Sequence, residues 1–119
     1  MRVFKFGGAS VKNAEAVSNI KNILQKEKGD LIIIISAMDK TTNKLEKVWQ
    51  HYIQKEINLA LAELERIILF HQAIYKKLDL SKNLSFVQHF NDLNDELKIY
   101  LSHFSNNNNA YHYDQIVSY

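Results

Sequence analysis

The chain reads as an α/β protein: a strand, a helix and a second, parallel strand, followed by a large helical region. Three observations predict this. Leu31–Ile35 is a continuous aliphatic run bounded by Gly29-Asp30 before and Ser36-Ala37 after, the pattern of a parallel strand covered by helices on both faces. Arg2–Phe6 is a second short strand pattern that reads as buried and ends in paired glycines, with an amphipathic helix pattern between the two runs. From residue 43 to residue 78 there is neither glycine nor proline, and apolar residues recur at helical spacing.

The first strand leads into Lys5-Phe6-Gly7-Gly8-Ala9-Ser10-Val11, whose chemistry suits phosphate. Gly7 and Gly8 permit positive φ and leave no side chain between backbone and ligand. Backbone amides in such a turn, at a helix start, attract oxyanions. Lys5 adds a full charge at the C-terminal end of the strand, where open parallel sheets place their ligands. The lysine precedes the glycines and no third glycine follows at the required spacing, so this is neither a Walker A loop nor a dinucleotide fingerprint. A tight strand-to-helix turn with a solvated lysine is the alternative.

Asn13 is the expected N-cap of a helix over residues 14–28, with Val17, Ile20, Ile23 and Leu24 on its apolar face and Gly29-Asp30 as its stop. Strand, helix, strand within about 35 residues is a βαβ unit, for which a right-handed crossover is expected. The loop after the second strand, Ser36-Ala37-Met38-Asp39-Lys40-Thr41-Thr42-Asn43, then opens on the same sheet edge as the glycine turn. Ser36, Thr41, Thr42 and Asn43 offer hydroxyls and an amide to a polar substrate, with Lys5 in reach of Ser36 and Thr42 around a shared hollow. Equally, either threonine or Asn43 caps the next helix.

Residues 43–78 form one long helix or two, with a weak point at residues 54–58. The apolar stripe runs through Leu45, Val48, Trp49, Tyr52, Ile53, Ile57, Leu61, Leu64, Ile68 and Tyr75. Residues 79–85 read as a connection, and residues 86–104 as a further helix with Phe86, Phe90, Leu93, Leu97, Tyr100 and Phe104 on one face. Both stripes read as core. Ser105 and the asparagines to residue 109 read as a polar loop flanked by His103 and His112. No histidine stands in metal-ligand spacing, and His51, His71 and His89 read as packed or surface residues.

With 46% hydrophobic and 24% charged residues among 119, the composition is that of one soluble globular domain or part of one. Fifteen basic against thirteen acidic residues give a formal charge of +2, which points to neither a nucleic-acid nor a membrane partner. The absence of cysteine excludes disulfides and thiolate metal sites and is compatible with the cytoplasm, the expected location. The N-terminus has no signal-peptide pattern, and Leu31–Ile35 is far too short to span a bilayer. With no proline, helix ends fall to glycine, asparagine and capping hydroxyls.

Lys5-Phe6-Gly7-Gly8 followed by Ala9, Ser10 and Val11 resembles the opening of aspartokinases, in the amino-acid-kinase superfamily. Ser36-Ala37 and Thr41-Thr42-Asn43 after an aliphatic strand resemble the second aspartokinase motif. Asp114-Gln115-Ile116-Val117-Ser118-Tyr119 resembles the approach to the third, in which Gly-Glu follows at once. The chain departs from the pattern at Ala9, usually threonine, and at Asp39, most often glycine, and its sequence stops before that Gly-Glu. Aspartate tolerates a left-handed turn, yet adds a carboxylate near an anionic pocket.

The resemblance covers the chain in order. It implies that residues 1–119 are the N-terminal part of an aspartokinase catalytic domain, a three-layer αβα sandwich, truncated before its nucleotide-binding half. It implies transfer of the ATP γ-phosphate, with Mg²⁺, to the side-chain carboxylate of L-aspartate in lysine, threonine and methionine biosynthesis, by a homo-oligomer when complete. Lys5 is then catalytic; Lys5, Gly7, Gly8 and Ser10 bind the phosphates; Ser36 and Thr42 bind aspartate; no residue is a metal ligand. A carboxylate nucleophile is ionised at neutral pH and needs no general base. The chain alone is expected to be inactive. The alternatives are another amino-acid kinase, such as an acetylglutamate kinase, or a non-enzymatic helical interaction module built on the stripes of residues 45–104.

Overall fold

The computed structural model describes residues 1–103 and 108–119. It is mixed α/β and mostly helical, with a two-stranded parallel sheet, and divides into two compact units, Met1–Thr41 and Thr42–Tyr119.

In the first unit β1 (Arg2–Phe6) pairs in parallel with β2 (Leu31–Ile35), Arg2 opposite Leu31 through Phe6 opposite Ile35. α1 (Ala14–Gln25) connects them, and the Asn13 side chain accepts a hydrogen bond from the Ala16 amide at 2.8 Å, the expected cap. Strand alternation sends Phe4 and Phe6 to one face, where they pack with Val11, Val17, Ile20, Leu24 and Met38. Val3 and Lys5 therefore leave β1 on the opposite face, beside Ile32 and Ile34 of β2.

Two expectations fail in this unit. α1 ends at Gln25, not residue 28: the Lys26 and Glu27 amides bond back to the Ile23 and Leu24 carbonyls in tighter turns, and Glu27 is held by Arg2 at 2.7 Å. Gly29 then takes φ +92°, a conformation that glycine adopts without a Cβ penalty. Nor are the strands buried. Ile32, Ile33, Ile34 and Ile35 are 43%, 41%, 50% and 57% exposed, because α1 packs on the phenylalanine side of β1 and the unit has no second helical layer.

In the second unit α2 (Thr41–Ile53), α3 (Ile57–Lys77), α4 (Leu84–Ser102) and α5 (Asn109–Val117) share a core that includes Val48, Tyr52, Ala60, Leu64, Leu101 and Ile116. The long helical pattern is two helices, broken in the expected place, where Lys55 adopts φ +61°. The Glu56 carboxylate lies 3.3 Å from His51 Nδ1 across that break. After Asp79, at φ +61°, a 3₁₀ turn (Leu80–Lys82) occupies the expected connection. α4 starts earlier than expected because the Asn83 side chain accepts from the Phe86 amide at 3.0 Å. Phe104 and the loop expected at residues 105–107 lie outside the described residues.

The end of that loop is instead a cap: the Asn108 side chain accepts from the Tyr111 amide at 2.7 Å and opens α5. His112, expected beside a polar loop, is fully buried, with Nδ1 2.7 Å from the Tyr100 hydroxyl and its ring edge-on to Tyr52 at 4.8 Å. The Tyr52 hydroxyl donates to the His103 carbonyl at 3.0 Å. Burial, reinforced by Tyr52, Tyr111 and Tyr119, pushes the Tyr100 phenol up to about 12. Tyr113 donates to Glu46 at 2.8 Å, and that bond to a carboxylate raises its pKa as well.

Candidate functional site

Parallel pairing brings the C-terminal ends of β1 and β2 to the same sheet edge, and the Ser36 amide extends the ladder by donating to the Phe6 carbonyl at 3.0 Å. Gly7 is extended, at φ −77° and ψ 175°, and Gly8–Val11 is a single 3₁₀ turn in which the Ser10 amide donates to the Gly7 carbonyl at 3.0 Å. Neither glycine uses the positive φ open to it. Gly8 answers a different demand, since a Cβ there would lie 2.7 Å from the Asp39 carbonyl oxygen and 3.4 Å from that of Ala37. A Cβ on Gly7 would meet nothing within 4 Å, so at that position the missing side chain leaves the turn open to solvent.

The Gly7, Gly8 and Ala9 amides donate to no acceptor among the described residues. Lys5 is exposed and has no ion pair or hydrogen bond among them. Three free donors at the start of a helical turn, at the end of the strand that carries an uncommitted ammonium, can accept an oxyanion. Ser10 and Ser36 are exposed as well. Thr41 is committed elsewhere: it is buried, and both its amide, at 3.0 Å, and its hydroxyl donate to the Met38 carbonyl. The first unit thus gathers Lys5, Gly7, Gly8, Ser10 and Ser36 at one end of its sheet, while Thr42 belongs to the helical unit.

Sequence reasoning missed the direct contact between the two loops. Its trace was Asp39, a residue type that tolerates the left-handed region and adopts φ +47°. A polar depression on α1, lined by Lys12, Asn13, Glu15, Ser18, Asn19 and Asn22, includes none of the expected site residues and is the solvated face of an amphipathic helix. Among the described residues no group of three or more His, Asp or Glu side chains could hold a metal ion, and no helix is long and apolar enough to cross a membrane.

No family model matches the chain. Over 92 residues, 66% of the chain and 23% of the relative, it is 30% identical to an aspartokinase of Geobacillus stearothermophilus. Over 74 residues, 56% of the chain and 18% of the relative, it is 32% identical to an aspartokinase of Bacillus sp. (strain MGA3). Over 46 residues, 38% of the chain and 8% of the relative, it is 46% identical to the chloroplastic aspartokinase 2 of Arabidopsis thaliana. The chain therefore spans less than a quarter of the length of these relatives, and its kinship with aspartokinases extends over part of its own length.

Proposed function

We propose that this aspartokinase-related chain is the N-terminal part, residues 1–119, of an aspartate kinase catalytic domain, in which the glycine turn cradles the phosphoryl group passing from ATP to the side-chain carboxylate of L-aspartate. The observation that carries the reading is the concentration at one sheet end of donors that have no partner among the described residues: the Gly7, Gly8 and Ala9 amides with the Lys5 ammonium. The exposed face of Val3, Ile32 and Ile34 supports the structural half, since a three-layer αβα sandwich would cover it with a second layer of helices. The partial coverage of the aspartokinase relatives supports it too.

In this reading catalysis is positioning and charge neutralisation. Lys5 and the turn amides stabilise the equatorial oxygens of the transferring group, Ser10 adds a hydroxyl, and Ser36 and Thr42 orient the aspartate. Bound with ATP, Mg²⁺ would supply charge neutralisation of the phosphates, and no residue of this chain is assigned to hold it. The Thr41 hydroxyl, bonded to Met38, holds the turn rather than the substrate. The complete protein is a cytoplasmic homo-oligomer serving lysine, threonine and methionine synthesis.

The test is ADP release from ATP and Mg²⁺ with and without L-aspartate, on the purified chain beside an extended chain that carries a C-terminal half. Aspartate-dependent turnover is expected only from the extended chain, and N-acetylglutamate should not replace aspartate. Comparable turnover by the 119-residue chain would overturn the fragment reading, and an inactive extended chain would overturn the kinase reading.

A further inference from the structure

The glycine turn does not stand alone. The Asp39 amide donates to the Gly8 carbonyl at 3.3 Å, and the Asp39 carbonyl oxygen occupies the space that a Gly8 Cβ would need, 2.7 Å from it. Both groups of one peptide backbone thus engage Gly8, and the left-handed conformation of Asp39, φ +47°, is what lets a single residue reach it with both. The turn that carries Asp39 is itself anchored: Met38 packs with Phe6, Val11 and Ile20, and the Thr41 amide and hydroxyl close on the Met38 carbonyl. Gly8 and Ala9 open the 3₁₀ turn and Gly7 is its N-cap, so the three amides without an acceptor among the described residues lie at its start.

We propose that Asp39 is a positioning residue, whose backbone conformation fixes the direction of the Gly7, Gly8 and Ala9 amides toward a phosphoryl group; this rests on the phosphate reading of the glycine turn. The carboxylate takes no part, and only the ability to stay left-handed matters. Glycine and asparagine supply that ability, whereas a β-branched residue opposes it. Once residue 39 leaves the left-handed region, its amide loses the Gly8 carbonyl and the turn amides lose their common orientation.

The experiment uses the whole 119-residue chain and amide NMR, with inorganic pyrophosphate as the probe. In the wild type, pyrophosphate should shift the Gly7, Gly8 and Ala9 amide resonances saturably. Asp39→Val should raise hydrogen exchange at the residue 39 amide and weaken pyrophosphate binding, each by about 10-fold, the scale set by a left-handed penalty on an equilibrium. Asp39→Asn and Asp39→Gly should keep both at wild-type values, a rescue that a role for the carboxylate would not allow. Should Asp39→Val fail to fold, Asp39→Ala provides the same comparison with a smaller side chain. Wild-type binding that Asp39→Val or Asp39→Ala leaves unchanged would overturn the positioning role alone. Equal weakening by Asp39→Asn would overturn it in favour of the carboxylate. A wild-type chain that does not bind pyrophosphate would overturn the phosphate reading itself, and the positioning role with it.

Discussion

Replacing Tyr100 by phenylalanine removes one oxygen from beside the core of the helical unit. That hydroxyl lies 2.7 Å from Nδ1 of His112, which has no exposed surface, while the Tyr100 ring, 5.6 Å from that of Tyr52, is retained. Losing one hydrogen bond to a buried ring costs about 1 kcal/mol, so the variant should be less stable at neutral pH by about that amount. Above the ordinary tyrosine pKa of 10.0 the difference should shrink. Tyr100 has its pKa raised to about 12 in the folded state, so its contribution is complete below 10.0 and is lost as pH rises toward about 12, where the unfolded chain ionises first. The full shift corresponds to ~2.7 kcal/mol, but Tyr100 is only partly buried, and solvent screening reduces the expected loss to about 1 kcal/mol. Tyr113, whose pKa is also raised, retains a smaller alkaline slope in the variant.

The assay is urea unfolding followed by tryptophan fluorescence at neutral and alkaline pH. Trp49 is the single tryptophan; its ring meets Tyr113 edge-on at 5.2 Å and its Nε1 donates to the Asn109 carbonyl, so its emission reports the helical unit. Equal stability of variant and wild type at neutral pH would refute the reasoning. So would an unchanged loss of stability on the alkaline side.

Leu101→Ala, at a position with no exposed surface, should cost about 3–4 kcal/mol in the same unfolding assay, and a cost below about 1 kcal/mol would show that the core collapses around the gap. In the extended chain of the proposed kinase, Lys5→Ala should lower kcat by at least ~100-fold in the ADP-release assay, and near-normal turnover would remove Lys5 from its proposed catalytic role. Asp39→Gly should leave that turnover equal or higher, because glycine takes the left-handed turn freely; a fall of more than about 10-fold would contradict this.

What could be read in the sequence was mostly local. The aliphatic run at residues 31–35, the glycines after Phe6 and the cap at Asn13 each act within a few residues, and all three stand where expected. The break near residue 55 was visible because Gln54-Lys55-Glu56 interrupts the apolar stripe. What escaped depends on groups far away in the chain. The burial of His112 involves the Tyr100 hydroxyl from another helix, so the sequence placed this histidine only beside a polar loop and not in the core. The demand for glycine at position 8 comes from a backbone oxygen 31 residues later, and it took a form, lack of room, that local pattern does not encode. Strand burial was misread because an aliphatic run specifies a need for cover without supplying the layer that provides it.

The four exposed isoleucines of β2 also govern how the chain behaves as a material. A short aliphatic strand displayed to water, with β1 on one side only, is a template on which further chains can stack. Charged residues flank it, Lys28 and Asp30 before and Asp39 and Lys40 after, and such gatekeepers oppose stacking through repulsion and the cost of drying a charge. Salt weakens the first of these defences, since at about 0.15 M ionic strength repulsion between exposed charges fades within ~8 Å. Dilute stocks at low ionic strength are therefore the conditions under which this polypeptide keeps its strands to itself.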